Sequence, residues 1–71
     1  MRFRWKKFGK DLRGNRENSF LGLRAAARKL KVGHATWCRA EQGKPIEAPT
    51  VIFLCEWMGN DPTIYLYRRA Q

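Results

Sequence analysis

Cysteine, histidine and acidic side chains are scarce in this chain of 71 residues. Two cysteines and one histidine exclude a disulfide framework and a four-ligand zinc site, and they make a reducing cytoplasm the default compartment. Six Asp and Glu leave few general acids and bases, and so short a chain has little scaffold to desolvate them. An enzyme is therefore the least expected class, and no catalytic residue, cofactor or metal is assigned. The longest uncharged apolar run is TVIFLC, residues 50–55, where a membrane span needs about 20 residues. The basic stretch Met1–Lys7 has no apolar region behind it, so no signal peptide is expected. No segment alternates with period two for long enough to make a good strand. Internal repeats, linkers and low-complexity segments are also lacking.

Basic residues are what the chain has in excess. Fifteen Lys and Arg against six acids give +9. The excess is one-sided: residues 1–31 hold eleven cations and two acids, whereas residues 32–71 hold four of each. Solubility alone does not require such asymmetry. A surface facing a polyanion does, most often nucleic acid, with an anionic membrane surface as a distant alternative. At 44% hydrophobic residues, with nine aromatics, the chain is not a disordered basic tail. One small helical domain spanning residues 1–71 is expected, with a basic aromatic arm at 1–7 and a tail at 67–71.

Helical periodicity divides the chain into five short helices. Trp5, Phe8 and Leu12 share a face, which predicts a first helix near 4–17, weakened by Gly9 and Gly14. LRAAARKL, Leu23–Leu30, is a second, with Gly22 as its cap. Lys31-Val32-Gly33 leaves room only for a turn, and HATWCRAEQ, His34–Gln42, is a third helix ended by Gly43. PTVIFLCEWM, Pro49–Met58, opens on proline and stops at Gly59. Asp61-Pro62 caps a last short helix through Ile64 and Leu66. The expected core is Leu12, Ala26, Ala27, Leu30, Val32, Trp37, Leu54, Met58 and Ile64, with Cys55 as a small buried apolar group and Cys38 partly exposed.

Two helices joined by a three-residue turn have the form of a helix-turn-helix, here at about residues 23–42. Ala26 and Ala27 allow close crossing, Val32 plugs the turn into the core, and Trp37 and Ala40 point inward. LGLRAAARKLKVGHATWCRAEQGK resembles the lambda-repressor-like (Cro and phage repressor, XRE) family. That family's pattern is matched by Leu21, Ala26, Ala27, Leu30, Val32, Thr36, Trp37, Glu41 and Gly43. Phe8-Gly9, Leu12 and Arg16 resemble its first helix, and Leu54, Met58-Gly59 and Asp61-Pro62-x-x-Tyr65-Leu66 its fourth and fifth, so the likeness covers about residues 8–66. The chain departs at Gly22 and Gly33, where serine caps are common. It departs also at Leu23, a polar DNA-facing site in the family, and at Lys31, which replaces the turn glycine and has to turn left-handed or shift the turn.

The resemblance implies an all-α, compact five-helix DNA-binding domain acting as a sequence-specific transcription regulator. A repressor of phage or mobile-element type is expected, cytoplasmic and nucleoid-associated, with no small-molecule ligand. Helix 34–42 would read the major groove through His34, Ala35, Thr36 and Arg39. Leu23 and Arg24 at the start of the second helix, and Gly43 and Lys44 after the third, would hold phosphates. Arg16 and Glu41 would pair across the domain. The fourth helix is apolar nearly all round, so the aromatic arm (Phe3, Trp5) or a second subunit must cover it. A homodimer on a palindromic operator is expected, with Ile46, Phe53 and Trp57 as interface candidates. Two other readings remain open: a protein-interaction module such as an antitoxin or anti-activator, and a DNA-bending accessory factor in recombination.

Overall fold

The computed structural model describes residues 2–68. Met1 and residues 69–71, the end of the expected tail 67–71, lie outside the described residues. The architecture is small, compact and mostly helical, with four α-helices: α1 (Trp5–Asn18), α2 (Leu23–Leu30), α3 (His34–Glu41) and α4 (Ala48–Met58). No helix among the described residues is long and apolar enough to cross a membrane.

Each helix buries one stripe and ends on a defined stop. Phe8 and Leu12 of α1 are buried, while Lys6, Lys7, Lys10 and Arg13 point to solvent. Phe20 and Leu21 return their N–H groups to the carbonyls of Glu17 and Arg16, which satisfies the last turn of α1. This forces Phe20 into the left-handed region at φ 57°. Helix α2 buries Ala26 and Ala27 and ends at Lys31, also left-handed at φ 57°. The turn has therefore not shifted; the lysine adopts the backbone that glycine would take more cheaply. Helix α4 buries Val51, Leu54 and Cys55 and ends at Gly59. Leu30, Val32 and Met58 pack against the core without being fully buried.

Helix α3 packs against both α1 and α2. Its Trp37 and Ala40 are fully buried. Close approach to α1 depends on Gly9. A Cβ at that position would stand 2.3 Å from the Ala40 carbonyl oxygen, inside any permitted contact. Gly9 thus weakens α1 as a helix and is needed by α1 as a packing surface.

The chain's end corrects two expectations. The fifth helix is a single 3-10 turn, Pro62–Tyr65, capped by Asp61, whose carboxylate accepts from the Thr63 N–H and hydroxyl at 2.9 Å each. The chain then becomes extended: β2 (Leu66–Tyr67) pairs antiparallel with β1 (Arg2–Phe3). A 3-10 turn advances three residues per cycle instead of 3.6. Accordingly Tyr65 is fully buried and Ile64 is 48% exposed, the reverse of the core expected from α-helical spacing. The Tyr65 hydroxyl donates to Asp11 at 2.7 Å and accepts from the Asn60 amide at 2.9 Å. Burial and the Asp11 carboxylate hold this phenol well above its ordinary pKa, so it stays a donor. Its ring packs edge-on against Phe8, and Phe3 joins the cluster together with Trp5. The aromatic arm stands beside α4 and leaves it partly open: Phe3 and Trp5 line an apolar groove with Val51 and Ile52.

Candidate nucleic-acid interface

Helix α3 is fixed on one side and free on the other. The fixing device is a polar cluster among apolar neighbours. Arg16 donates through Nε and Nη2 to the two Glu41 oxygens, the second at 2.9 Å, and through Nη1 to the Leu21 carbonyl at 3.0 Å. Glu41 accepts a further bond from the Trp37 indole at 2.7 Å. The two charged side chains are only 12% and 8% exposed. The forked, charge-assisted geometry explains why such a pair is tolerated away from water. The bond to Glu41 raises the Arg16 pKa further above its ordinary value. In one constellation, α1, the loop before α2 and the last turn of α3 are tied together.

The free side of α3 presents His34, Ala35 and Arg39, all exposed. Thr36 is half-buried and lines a cleft with Arg39, Pro45, Ile46, Glu47 and Thr50. Arg39 makes one long contact, 3.4 Å to the Pro45 carbonyl, weak enough for the guanidinium to leave for another acceptor. Gln42 continues the exposed row at i+3 from Arg39 and i+7 from Ala35. The expected helix 34–42 contains Gln42, but its expected reading residues stop at Arg39; in the structure Gln42 caps α3, which ends at Glu41.

The residues expected at phosphates lie at the start of α2 and just past the end of α3. Gly22 caps α2 with no side-chain bond, so the first N–H groups from Leu23 onward are left for an outside acceptor. Leu23 itself is half-buried and packed on the core, whereas Arg24 is exposed. Gly43, left-handed at φ 78°, carries the chain away from α3, and Lys44 beyond it is exposed.

Of the interface candidates, Phe53 is 43% exposed and Ile46 half-buried. Trp57 is half-buried and packs edge-on against Trp37 with ring centroids 5.8 Å apart. Ile52, Ile64 and Leu66 add exposed apolar surface. Cys38 is half-buried on α3. Cys55 is buried in α4, and that burial pushes its thiol pKa up. Among the described residues no group of three His, Cys, Asp or Glu side chains is placed to hold a metal ion. No protein-family model matches the chain, and no curated protein or solved structure matches it.

Proposed function

We propose that the chain is a sequence-specific DNA-binding transcription regulator, a repressor of phage or mobile-element type without enzymatic activity. Helices α2 and α3 act as its helix-turn-helix, in a lambda-repressor-like arrangement. One observation carries this reading: α3 is locked from behind by Trp37, Ala40 and the Arg16–Glu41 pair. Its outward row of His34, Ala35 and Arg39 is meanwhile left without a strong partner. A rigid helix with an unspent polar face suits the major groove, which admits one α-helix and offers guanine as a bidentate acceptor for arginine. Arg24 at the uncapped start of α2 and Lys44 just past α3 are both exposed and take phosphates in this reading. The one-sided charge supplies the sequence-independent part of the affinity.

Two copies would place two reading helices about one turn of DNA apart, as a palindromic operator needs. The exposed apolar surface at Ile52 and Phe53, beside Ile46, is the dimer contact in this reading. The same surface favours a second reading, a module that binds another protein. Binding to DNA upstream of the protein's own gene, compared with unrelated DNA at ~150 mM salt where nonspecific contacts weaken, separates the two. Preference for the upstream DNA supports the regulator. Equal binding to both counts against the regulator and favours the DNA-bending or protein-partner readings.

A further inference from the structure

Lys6, Lys10 and Arg13 occupy one flank of α1 at helical spacing, and all three are exposed. They line a single cleft together with Glu41, Gln42 and Gly43 at the C-terminal end of α3. Gly9 brings this flank so close, because α1 rests directly on the Ala40 and Glu41 carbonyls there. Gly43 also passes close to Lys6: a Cβ there would stand 3.1 Å from the Lys6 Cγ and 3.3 Å from its Cα. The acid in the cleft, Glu41, is already neutralised by Arg16. Arg13 reaches Glu17 at 3.4 Å between exposed side chains, a contact worth little. Among the described residues no ion pair involves Lys6 or Lys10.

Cations near a helix C-terminus usually answer the helix dipole. That dipole end is equivalent to roughly half a negative charge, which three cations overcompensate. The three cations are exposed, and the cleft they line meets the outward side of α3 at Gln42, which lines it and is itself exposed. Eight residues of α3 rise about 12 Å, close to the roughly 12 Å width of the major groove. Were α3 to enter the groove with its first turn at the bases and slant across it, its far end would come level with a bordering sugar–phosphate strand.

We infer that Lys6, Lys10 and Arg13 form a second phosphate-binding track, so that bound duplex DNA is held along α1 as well as by α2 and the Gly43–Lys44 turn. This inference rests on the DNA-binding reading. It goes further by assigning to α1 a role that is electrostatic and independent of base sequence.

The test needs no operator. Affinity for a 30-bp duplex of arbitrary sequence is measured from 50 to 200 mM salt for the wild type and for the Lys6→Gln/Lys10→Gln/Arg13→Gln variant. A Lys29→Gln/Arg68→Gln variant, altered at two exposed cations outside the cleft, is the control. Three lost phosphate contacts shallow the log–log salt slope by about 2.7, so the wild type loses roughly forty-fold more affinity across that range than the triple variant. The control should change by less than one unit. Lys10→Gln alone should shallow the slope by about one unit, which keeps the test valid if the triple variant folds poorly. An unchanged slope in the triple variant, or an equal change per charge in the control, overturns the track and leaves the DNA-binding reading standing. A wild type with no salt-dependent binding to any duplex overturns both.

Discussion

Arg16 and Glu41, twenty-five positions apart in the chain, meet through two parallel hydrogen bonds in a mostly buried pocket that also takes the Trp37 indole. Removing one charge from such a pair costs far more than breaking an exposed one. Glu41→Gln should destabilise the fold by about 3 kcal/mol. Asp11→Asn or Glu17→Gln, whose partners Lys7 and Arg13 are exposed, should cost no more than about 1 kcal/mol as ion pairs. Asp11→Asn also alters the acceptor of Tyr65, so Glu17→Gln is the cleaner comparison. Urea unfolding measures all three.

The bounds of α2, the start of α3 and the turn between them were legible in the sequence. Pattern and chemistry coincided there: small residues at a crossing and apolar residues at i and i+3. The Arg16–Glu41 pair was expected from the family resemblance alone, and α3 ends at Glu41, one residue short of the expected 34–42. Other features were not legible, for physical reasons. A Pro62–Tyr65 turn of three residues per cycle carries too few positions to reveal its period, so Ile64 was expected inside and Tyr65 was not. The pairing of Arg2–Phe3 with Leu66–Tyr67 joins two dipeptides too short to show alternation. Gly9 reads as a helix breaker until the Ala40 carbonyl is seen against it. The cleft between α1 and the end of α3 arises only on packing.

Gly9 and Gly14 should therefore respond to alanine with opposite signs. Gly14 has nothing within 4 Å of its would-be Cβ, so Gly14→Ala should stabilise by roughly 0.5–1 kcal/mol from helix propensity. Gly9→Ala gains the same propensity, but its Cβ collides with the Ala40 backbone. It should be net destabilising by about 1–3 kcal/mol, in the range of overpacked cores. Thermal melts of the two variants side by side decide this.

Phe20 is 96% exposed and left-handed at φ 57°, a backbone that an aromatic residue adopts at a cost. Phe20→Gly relieves that cost without removing a buried contact. It should raise stability by about 1 kcal/mol, readable as a higher urea midpoint with an unchanged slope. Unchanged or lower stability would mean that the ring contributes to the folded state.

The two thiols should differ in reactivity. Cys38 is half-buried and Cys55 buried with a raised pKa, so alkylation at pH 8 should modify one thiol in the native protein and both in denaturant. Because the folded state favours the neutral Cys55 thiol, its contribution to stability holds below the ordinary thiol pKa near 9.0. That contribution is lost as pH rises through the raised value.

The central claim is that Arg39 on the free face of α3 reads a base, while Arg24 and Lys44 hold phosphates. The most direct measurement is the base preference of wild type and Arg39→Ala, determined position by position on a site selected from random duplexes at ~150 mM salt. The account predicts that Arg39→Ala loses about 1–3 kcal/mol on the selected site and relaxes preference at a single base pair. Arg24→Ala and Lys44→Ala should weaken all sequences alike. A wild type that selects no sequence, or an Arg39→Ala protein that weakens every sequence equally with its preferences intact, would contradict it.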